Sequence, residues 1–176
     1  FLDVGANIGV YTKKLALEGI FIYAFEPNPE TFKILCQNVK KFSNVRVFNY
    51  ALGDKSIKEV LFYVHEHSIS GFDGLYKSLR NEDTKKIKVE IKTLDSFHFK
   101  NVGLIKIDTE GNEYPILIGA IQTLKKQRPK LIIEVHEPIW KNDILIMSFL
   151  RKIGYRDLIR VYNKNTISTY HIVGDI

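Results

Sequence analysis

Two kinds of apolar run alternate along this chain of 176 residues. The short runs "FLDVG", "FIYAFEP", "LIKID" and "KLIIEVH" are apolar at nearly successive positions and end at glycine, proline or polar residues. Strands covered on both faces read this way, as in a parallel sheet with helices on each side. Between them apolar residues recur at helical spacing. "VYTKKLALEG" predicts a helix ended by Gly19. Asn28 offers an N-cap and Pro29 suits the first helical position, while Phe32, Leu35, Cys36 and Val39 mark one face of a second helix running to about Phe42. "VRVFNYAL" predicts a third strand, and a later helix carries Ile116, Leu117, Ala120, Ile121 and Leu124 on one face. Another spans about Asp143 to Ile153 and stops at Gly154.

The middle of the chain breaks this rhythm. "KEVLFYVH" and "KIKVEIKTL" alternate apolar and polar positions, as half-exposed strands do, and the polar stretch "EHSISGFDGLYKSLRNED" between them reads as a loop. An added antiparallel pair at about 55–100 therefore stands where a crossover helix is expected. "YRDLIRVY" and "STYHIVGDI" are two strands with a short link, so one of them is antiparallel to its neighbours. The order βαβαβ, insertion, βαβαββ predicts one doubly wound, Rossmann-like α/β domain over residues 1–176.

Composition narrows the class without choosing a function. Apolar and charged fractions are ordinary for a globular protein, and the longest apolar stretches are too short to cross a bilayer. With no leader or lipidation motif in view, a cytoplasmic location is expected. Cys36 is the lone cysteine, which excludes an intramolecular disulfide and reads as a small core residue. The net charge of +6 is spread along the chain, with a modest cluster in "DTKKIKVEIK". It suits an anionic partner or plain solvated faces equally, and nucleic acid is the lesser reading.

The first candidate chemistry is the loop "GANIG" that follows the first strand. Ligands of open α/β sheets bind beyond the carboxyl ends of the strands. Gly5 and Gly9 lack a Cβ, which lets a ligand approach the backbone, and amides at the helix start favour negative charge such as a carboxylate. Asn7 serves the same loop. Glu26 ends the second strand, where an acid accepts both hydroxyls of a ribose. The nicotinamide fingerprint needs a middle glycine so that a pyrophosphate can come close, and Asn7 stands there instead. A nucleoside with an amino-acid tail fits better than a dinucleotide. Asp3 would then orient the loop or meet a cationic group such as an ammonium.

"FLDVGANIGVYT", "AFEPNPETF", "NYALGD", "LIKIDTEGNEYPILIGA" and "LIIEVH", in that order, cover most of the chain and resemble the FkbM-type family of S-adenosylmethionine-dependent methyltransferases. The resemblance implies a class I methyltransferase fold with strand order 3-2-1-4-5-7-6. It also implies transfer of a methyl group to a hydroxyl oxygen of a sugar, glycan or natural product. Carried over, Asp3, Gly5, Asn7 and Gly9 would hold the methionine part of S-adenosyl-L-methionine and Glu26 the ribose, with Ala51, Leu52 and Asp54 near the adenine. The insertion departs from the pattern, and beyond "TLDSF" no motif is matched there.

Residues two apart share a strand face. Lys106 and Asp108 therefore lie together, as do Glu134 and His136, on strands that the implied order makes neighbours. Lys106 and Glu134 are expected deeper and paired, because an unpaired buried charge is costly. Asp108 and His136 are expected near the rim, with Glu110 on the loop beyond. His136 is the first candidate for general base, since imidazole titrates near working pH; Asp108 and Glu110 are alternatives, or orient the acceptor. Asn112 and Glu113 are expected to cap the next helix. No metal is required, although Asp108, Glu110 and Glu134 are a conceivable magnesium set. His65, His67, Phe72 and Tyr76 frame the insertion loop as a candidate substrate lid, Trp140 is a candidate pocket wall, and His98 and His171 read as structural or exposed. The competing readings are a nucleic-acid methyltransferase and a cofactor-binding protein without turnover. Against the first, "DTEG" stands where base methylation on nitrogen uses Asn or Asp followed by prolines and an aromatic.

Overall fold

The computed structural model describes residues 1–65, 74–75, 84–136, 142–162 and 169–175. Strands β1 (Leu2–Val4), β2 (Ile22–Phe25) and β3 (Val45–Phe48) are linked by helices α1 (Val10–Leu17) and α2 (Pro29–Val39). Strands β4 (Ala51–Leu52), β5 (Ile57–His65) and β6 (Thr84–Lys92) follow, and the alternation resumes with β7 (Leu104–Ile107), α3 (Glu113–Gly119), α4 (Ile121–Gln127), β8 (Lys130–His136), α5 (Asn142–Lys152), β9 (Asp157–Tyr162) and β10 (Thr169–Asp175). Seven strands form the main sheet in the order β3-β2-β1-β7-β8-β10-β9. With the insertion strands set aside this is the expected 3-2-1-4-5-7-6. The last strand, β10, runs antiparallel to both β8 and β9, and the other pairs are parallel.

Alternation within each strand divides the core. Leu2, Val4, Phe25, Ile105, Ile107 and Ile133 pack on one side against Ile116, Leu117 and Ile146 of α3 and α5. Ile22 and Ala24 face the other side, against Ala16, Leu35 and Val39 of α1 and α2. Leu35 is fully buried there, and such a side chain contributes roughly 1.5–3 kcal/mol by leaving water. Asp3 lies between Leu2 and Val4 and is buried like them, but on the α1 side. Among the described residues no helix is long and apolar enough to cross a membrane.

The expected third strand is divided. "VRVF" joins the main sheet, whereas Ala51 and Leu52 leave it to pair in parallel with Ile91 and Lys92. Asn49 makes the turn, donating its side-chain amide to the carbonyls of Glu26 (2.8 Å) and Pro27 (3.0 Å). Polar side chains that bond backbone carbonyls in this way end a ladder. The expected antiparallel pair is present as β5 and β6, with Val60 opposite Val89 and Phe62 opposite Ile87. Its inner face packs Phe62, Val89 and Ile91 on Ala51. The Gly53 amide donates to the Lys92 carbonyl at 3.0 Å, so the insertion leaves and re-enters the fold at one point.

The single helix expected after β7 is two, broken at Ala120. Asp95, in a 3-10 turn at Leu94–Phe97, accepts from the amides of Gln122 and Thr123 (both 2.8 Å) and from the Thr123 hydroxyl (2.7 Å). A carboxylate on the first amides of a helix satisfies donors that have no partner within it. That is the structural use of "TLDSF".

Candidate active site

A cleft opens beyond the carboxyl ends of β1, β2 and β7. Gly5, Asn7, Glu26, Asp108 and Glu110 line one part, and Ala51, Leu52, Phe62 and Leu75 line the other. The loop after β1 is built from left-handed residues: Gly5 at φ 77°, Asn7 at φ 52° and Gly9 at φ 87°. It is fastened by the amides of Gly5 and Ala6, both donating to the Phe25 carbonyl at 3.1 and 2.9 Å.

The glycines serve the chain itself before any ligand. A Cβ on Gly5 would stand 1.8 Å from the Asp108 carbonyl oxygen, and one on Gly9 would stand 2.6 Å from Leu35 Cδ1. The bare backbone lets the loop settle between β7 and α2, a use of both glycines within the chain itself. Gly5 still lines the cleft; Gly9 lies in a surface groove with Ile8, Val10 and Lys13.

Glu26 is fixed from two sides. Its Oε2 accepts from the Asn7 amide (3.0 Å) and its Oε1 from the Asn28 amide (2.9 Å), and the residue is only 6% exposed. A carboxylate oxygen accepts more than one hydrogen bond, so donors from the backbone orient the group without closing it to hydroxyls. Asn28 caps α2 as expected, accepting from the Glu30 amide at 3.0 Å.

Asp3 lies behind the cleft and is not part of its lining. Its Oδ2 accepts from the Thr12 hydroxyl at 2.6 Å. Oδ1 has no hydrogen-bond partner, and the Lys106 ammonium stands 3.8 Å away. Burial pushes the Asp3 carboxyl above its ordinary range, opposed by the charge of Lys106 and the Thr12 bond. The Lys106 ammonium also donates to Asp108 Oδ2 at 3.0 Å and lies 5.1 Å from the centre of the Tyr11 ring.

This arrangement replaces the expected Lys106–Glu134 pair. Lys106 is level with Asp3 on β1 and with Ile132 on β8, so Glu134 falls two residues further, level with Asp108. Glu134 itself is opposite His171 of β10. His136 is the last residue of β8, opposite Thr169; it ends on the cleft's edge of the sheet, but its side chain lies outside the described residues. The same holds for the side chains of His65 and His171, and for His67, Phe72, Tyr76 and Trp140 altogether. His98 is an exposed left-handed residue after the 3-10 turn.

Beyond β7 the backbone turns through Glu110 (φ 53°) and Gly111 (φ 105°). Glu113, fully buried, holds that turn: its Oε1 accepts from the Gly111 amide at 2.8 Å and from the Thr109 hydroxyl at 3.4 Å. Asn112 makes no side-chain cap; its Nδ2 donates to the Leu52 carbonyl at 2.7 Å and ties β4 to this loop. Both stand at the helix start as expected, Asn112 at the N-cap position and Glu113 as the acid of the first turn, but the Asn112 side chain serves the cleft wall in place of the cap. Asp54 is exposed and outside the lining, so of the three residues expected near an adenine only Ala51 and Leu52 face the cleft. Among the described residues no three His, Cys, Asp or Glu side chains gather as a metal-binding group, so Asp108, Glu110 and Glu134 do not form the magnesium set considered above. Phe62 and Leu75 were missed by the sequence reading. Phe62 sits on the inner face of an alternating strand, but alternation does not say which cleft that face borders.

Residues 3–156 match the profile of the Methyltransferase FkbM domain. The chain belongs to the FkbM methyltransferase family. It is 28% identical over 144 residues to the hexuronic acid methyltransferase AglP of Haloferax volcanii, a match covering 81% of this chain and 58% of that protein. It is 27% identical over 167 residues to the 31-O-demethyl-FK506 methyltransferase FkbM of Streptomyces tacrolimicus, covering 77% and 64%. The chain thus spans about three fifths of the length of these relatives. In fold, this FkbM-family chain superposes on the FkbM methyltransferase of Methylobacillus flagellatus with a TM-score of 0.71 at 17% identity, over 98% of this chain and 42% of the other. It also superposes on a Streptococcus mutans protein solved in complex with SAH, with a TM-score of 0.59 at 10% identity, over 99% and 87%.

Proposed function

We propose that this FkbM-family methyltransferase uses S-adenosyl-L-methionine to methylate a hydroxyl oxygen on a sugar, glycan or natural-product acceptor. The observation that carries the cofactor reading is Glu26. A buried carboxylate, oriented by the amides of Asn7 and Asn28 at the end of β2, faces a cleft with polar and apolar parts. The donor set fits a nucleoside: Glu26 for two ribose hydroxyls, Ala51 and Leu52 for an apolar base, and the loop from Gly5 to Asn7 for an amino-acid tail. When bound, the cofactor supplies an already activated methyl group. The protein then has to align the acceptor oxygen and hold or remove its proton.

Asp108 lies at the rim of the cleft, its carboxylate held by Lys106 at 3.0 Å. Held this way it accepts a hydrogen bond from an acceptor hydroxyl and fixes its direction. Glu110 lines the same rim. His136, at the end of the neighbouring strand, is the proposed general base. The hydroxyl acceptor is supported by the name of one relative, a 31-O-demethyl-FK506 methyltransferase, and the sugar class by that of another, a hexuronic acid methyltransferase, whose substrate offers both hydroxyl and carboxyl oxygens.

Calorimetry with S-adenosylhomocysteine and with NAD tests the cofactor: binding of the first and not the second is expected, and the reverse would overturn the reading. Labelled methyl transfer onto glycans, lipids and RNA tests the acceptor, with incorporation into an alkali-stable ether expected.

A further inference from the structure

The cleft is asymmetric, and the sheet order gives the asymmetry a direction. Glu26 ends β2. The Gly5–Asn7 loop and Asp108 lie on the β1 and β7 side of it, and Ala51 and Leu52 follow β3 on the other side. A nucleoside whose ribose meets Glu26 and whose tail runs toward β1 must send its base toward β3. That end of the cleft is closed by the insertion. Phe62, 4% exposed, packs on Ala51 with Val89 and Ile91, and Leu75 packs on the same cluster. Leu75 is held there by its neighbour. Gly74 exchanges two backbone hydrogen bonds with Tyr63 of β5, at 2.8 and 3.0 Å, so the chain returns to the sheet immediately before Leu75. The 2.7 Å bond from Asn112 to the Leu52 carbonyl sets this apolar wall relative to Asp108.

We propose that the insertion supplies the base-binding wall of the cofactor cleft, with Phe62 and Leu75 covering the flat apolar surface of the purine ring. The inference rests on the cofactor reading above and extends it: the insertion belongs to the nucleoside end of the cleft, and the acceptor approaches from the β7 and β8 side. Aromatic and aliphatic side chains cover bases without reading their edges, so the wall selects a planar base by shape and apolarity.

The test is calorimetry of the protein with S-adenosylhomocysteine and with adenosine, using Leu75→Ala and the milder Leu75→Val. Leu75→Ala is expected to weaken both ligands by the same factor, about tenfold, since adenosine carries the base but not the tail. Leu75→Val, half-buried and conservative, keeps the fold and is expected to weaken both by about threefold. In wild-type protein with methyl-labelled leucine, nuclear Overhauser contacts are expected from the purine H2 or H8 to a leucine methyl pair that Leu75→Val removes. Unchanged affinity for both ligands in a variant that melts like wild type would overturn the proposal. So would a loss confined to S-adenosylhomocysteine, or the absence of purine contacts to Leu75. If wild-type protein binds neither ligand, it is the cofactor reading that fails.

Discussion

Gly5 lies so close to the carbonyl of Asp108 that a Cβ built on it would stand 1.8 Å from that oxygen. The first loop is therefore seated on the end of β7, and the residue that lines the cleft from β7 is the one that the loop touches. At φ 77° a side chain is also strained. Gly5→Ala is expected to cost at least ~2 kcal/mol of unfolding free energy, from a backbone clash together with a disfavoured dihedral. Urea titration measures it. Gly19→Ala is the contrast, with nothing within 4 Å of its Cβ, and loses only the dihedral term at φ 76°.

Glu26→Gln is not a neutral isostere here. Both carboxylate oxygens accept backbone amides, so a glutamine must turn its NH2 toward one of those donors. The loss expected is ~1–3 kcal/mol of stability from the opposed donors. Affinity for S-adenosylhomocysteine is expected to fall by at least tenfold. Paired thermal melts and calorimetry separate the two effects.

Among the described residues Lys106 is the only cation that pairs with Asp3, and it also pairs with Asp108. Lys106→Met is expected to destabilise by ~3–5 kcal/mol, because it strands a buried carboxylate. The double variant with Asp3→Asn is expected to recover much of that loss. A thermodynamic cycle over the four proteins measures the coupling, and additive losses would show that the pair does not interact.

Asp3 also predicts a pH dependence. Its carboxyl is raised from an ordinary value of 3.8 by burial, so over the interval above that value the folded state holds the proton more tightly than the unfolded state. The contribution of this group to stability is greatest below pH 3.8, falls as pH rises through the folded-state pKa, and is constant above it. The difference in unfolding free energy between wild type and Asp3→Asn, followed from pH 3 upward, should therefore move in favour of the variant as pH rises. A flat difference would place the carboxyl in its ordinary range.

His136→Ala tests the proton-removal role. With an acceptor found by the transfer screen, turnover is expected to fall by ~100-fold or more while affinity for S-adenosylhomocysteine stays within twofold, the range that general bases contribute. Unchanged turnover would leave Asp108 and Glu110 as the groups to examine.

The sheet was legible because its strands state their burial in their own residues: "FIYAF" is apolar on both faces, and "KLIIEV" carries Leu131, Ile133 and Val135 on one fully buried face. Glu26 was legible because it stands at a strand end, a position with a fixed place in an open α/β sheet. Asp3 was legible as an anomaly but not as a contact, since its partners Thr12 and Lys106 come from a helix and from a strand that is distant in sequence. The Lys106–Glu134 pairing failed by two residues of register, which nothing local to "LIKID" or "LIIEVH" encodes. Asn112 failed because an asparagine before a helix reads as a cap, and only the folded chain brings the Leu52 carbonyl within its reach. The division of "VRVFNYAL" turned on Asn49, a residue whose competition with the strand depends on the two carbonyls it finds.

The hydrogen bond from Gly53 to Lys92 has an evolutionary consequence. Because the two ends of the inserted segment meet, they form a closed seam, and everything between them is a cassette that can be shortened, lengthened or exchanged without moving the seven strands beneath. An exchange made at that seam would therefore replace the wall proposed for the purine while leaving Asp108 and the ends of the seven strands where they are.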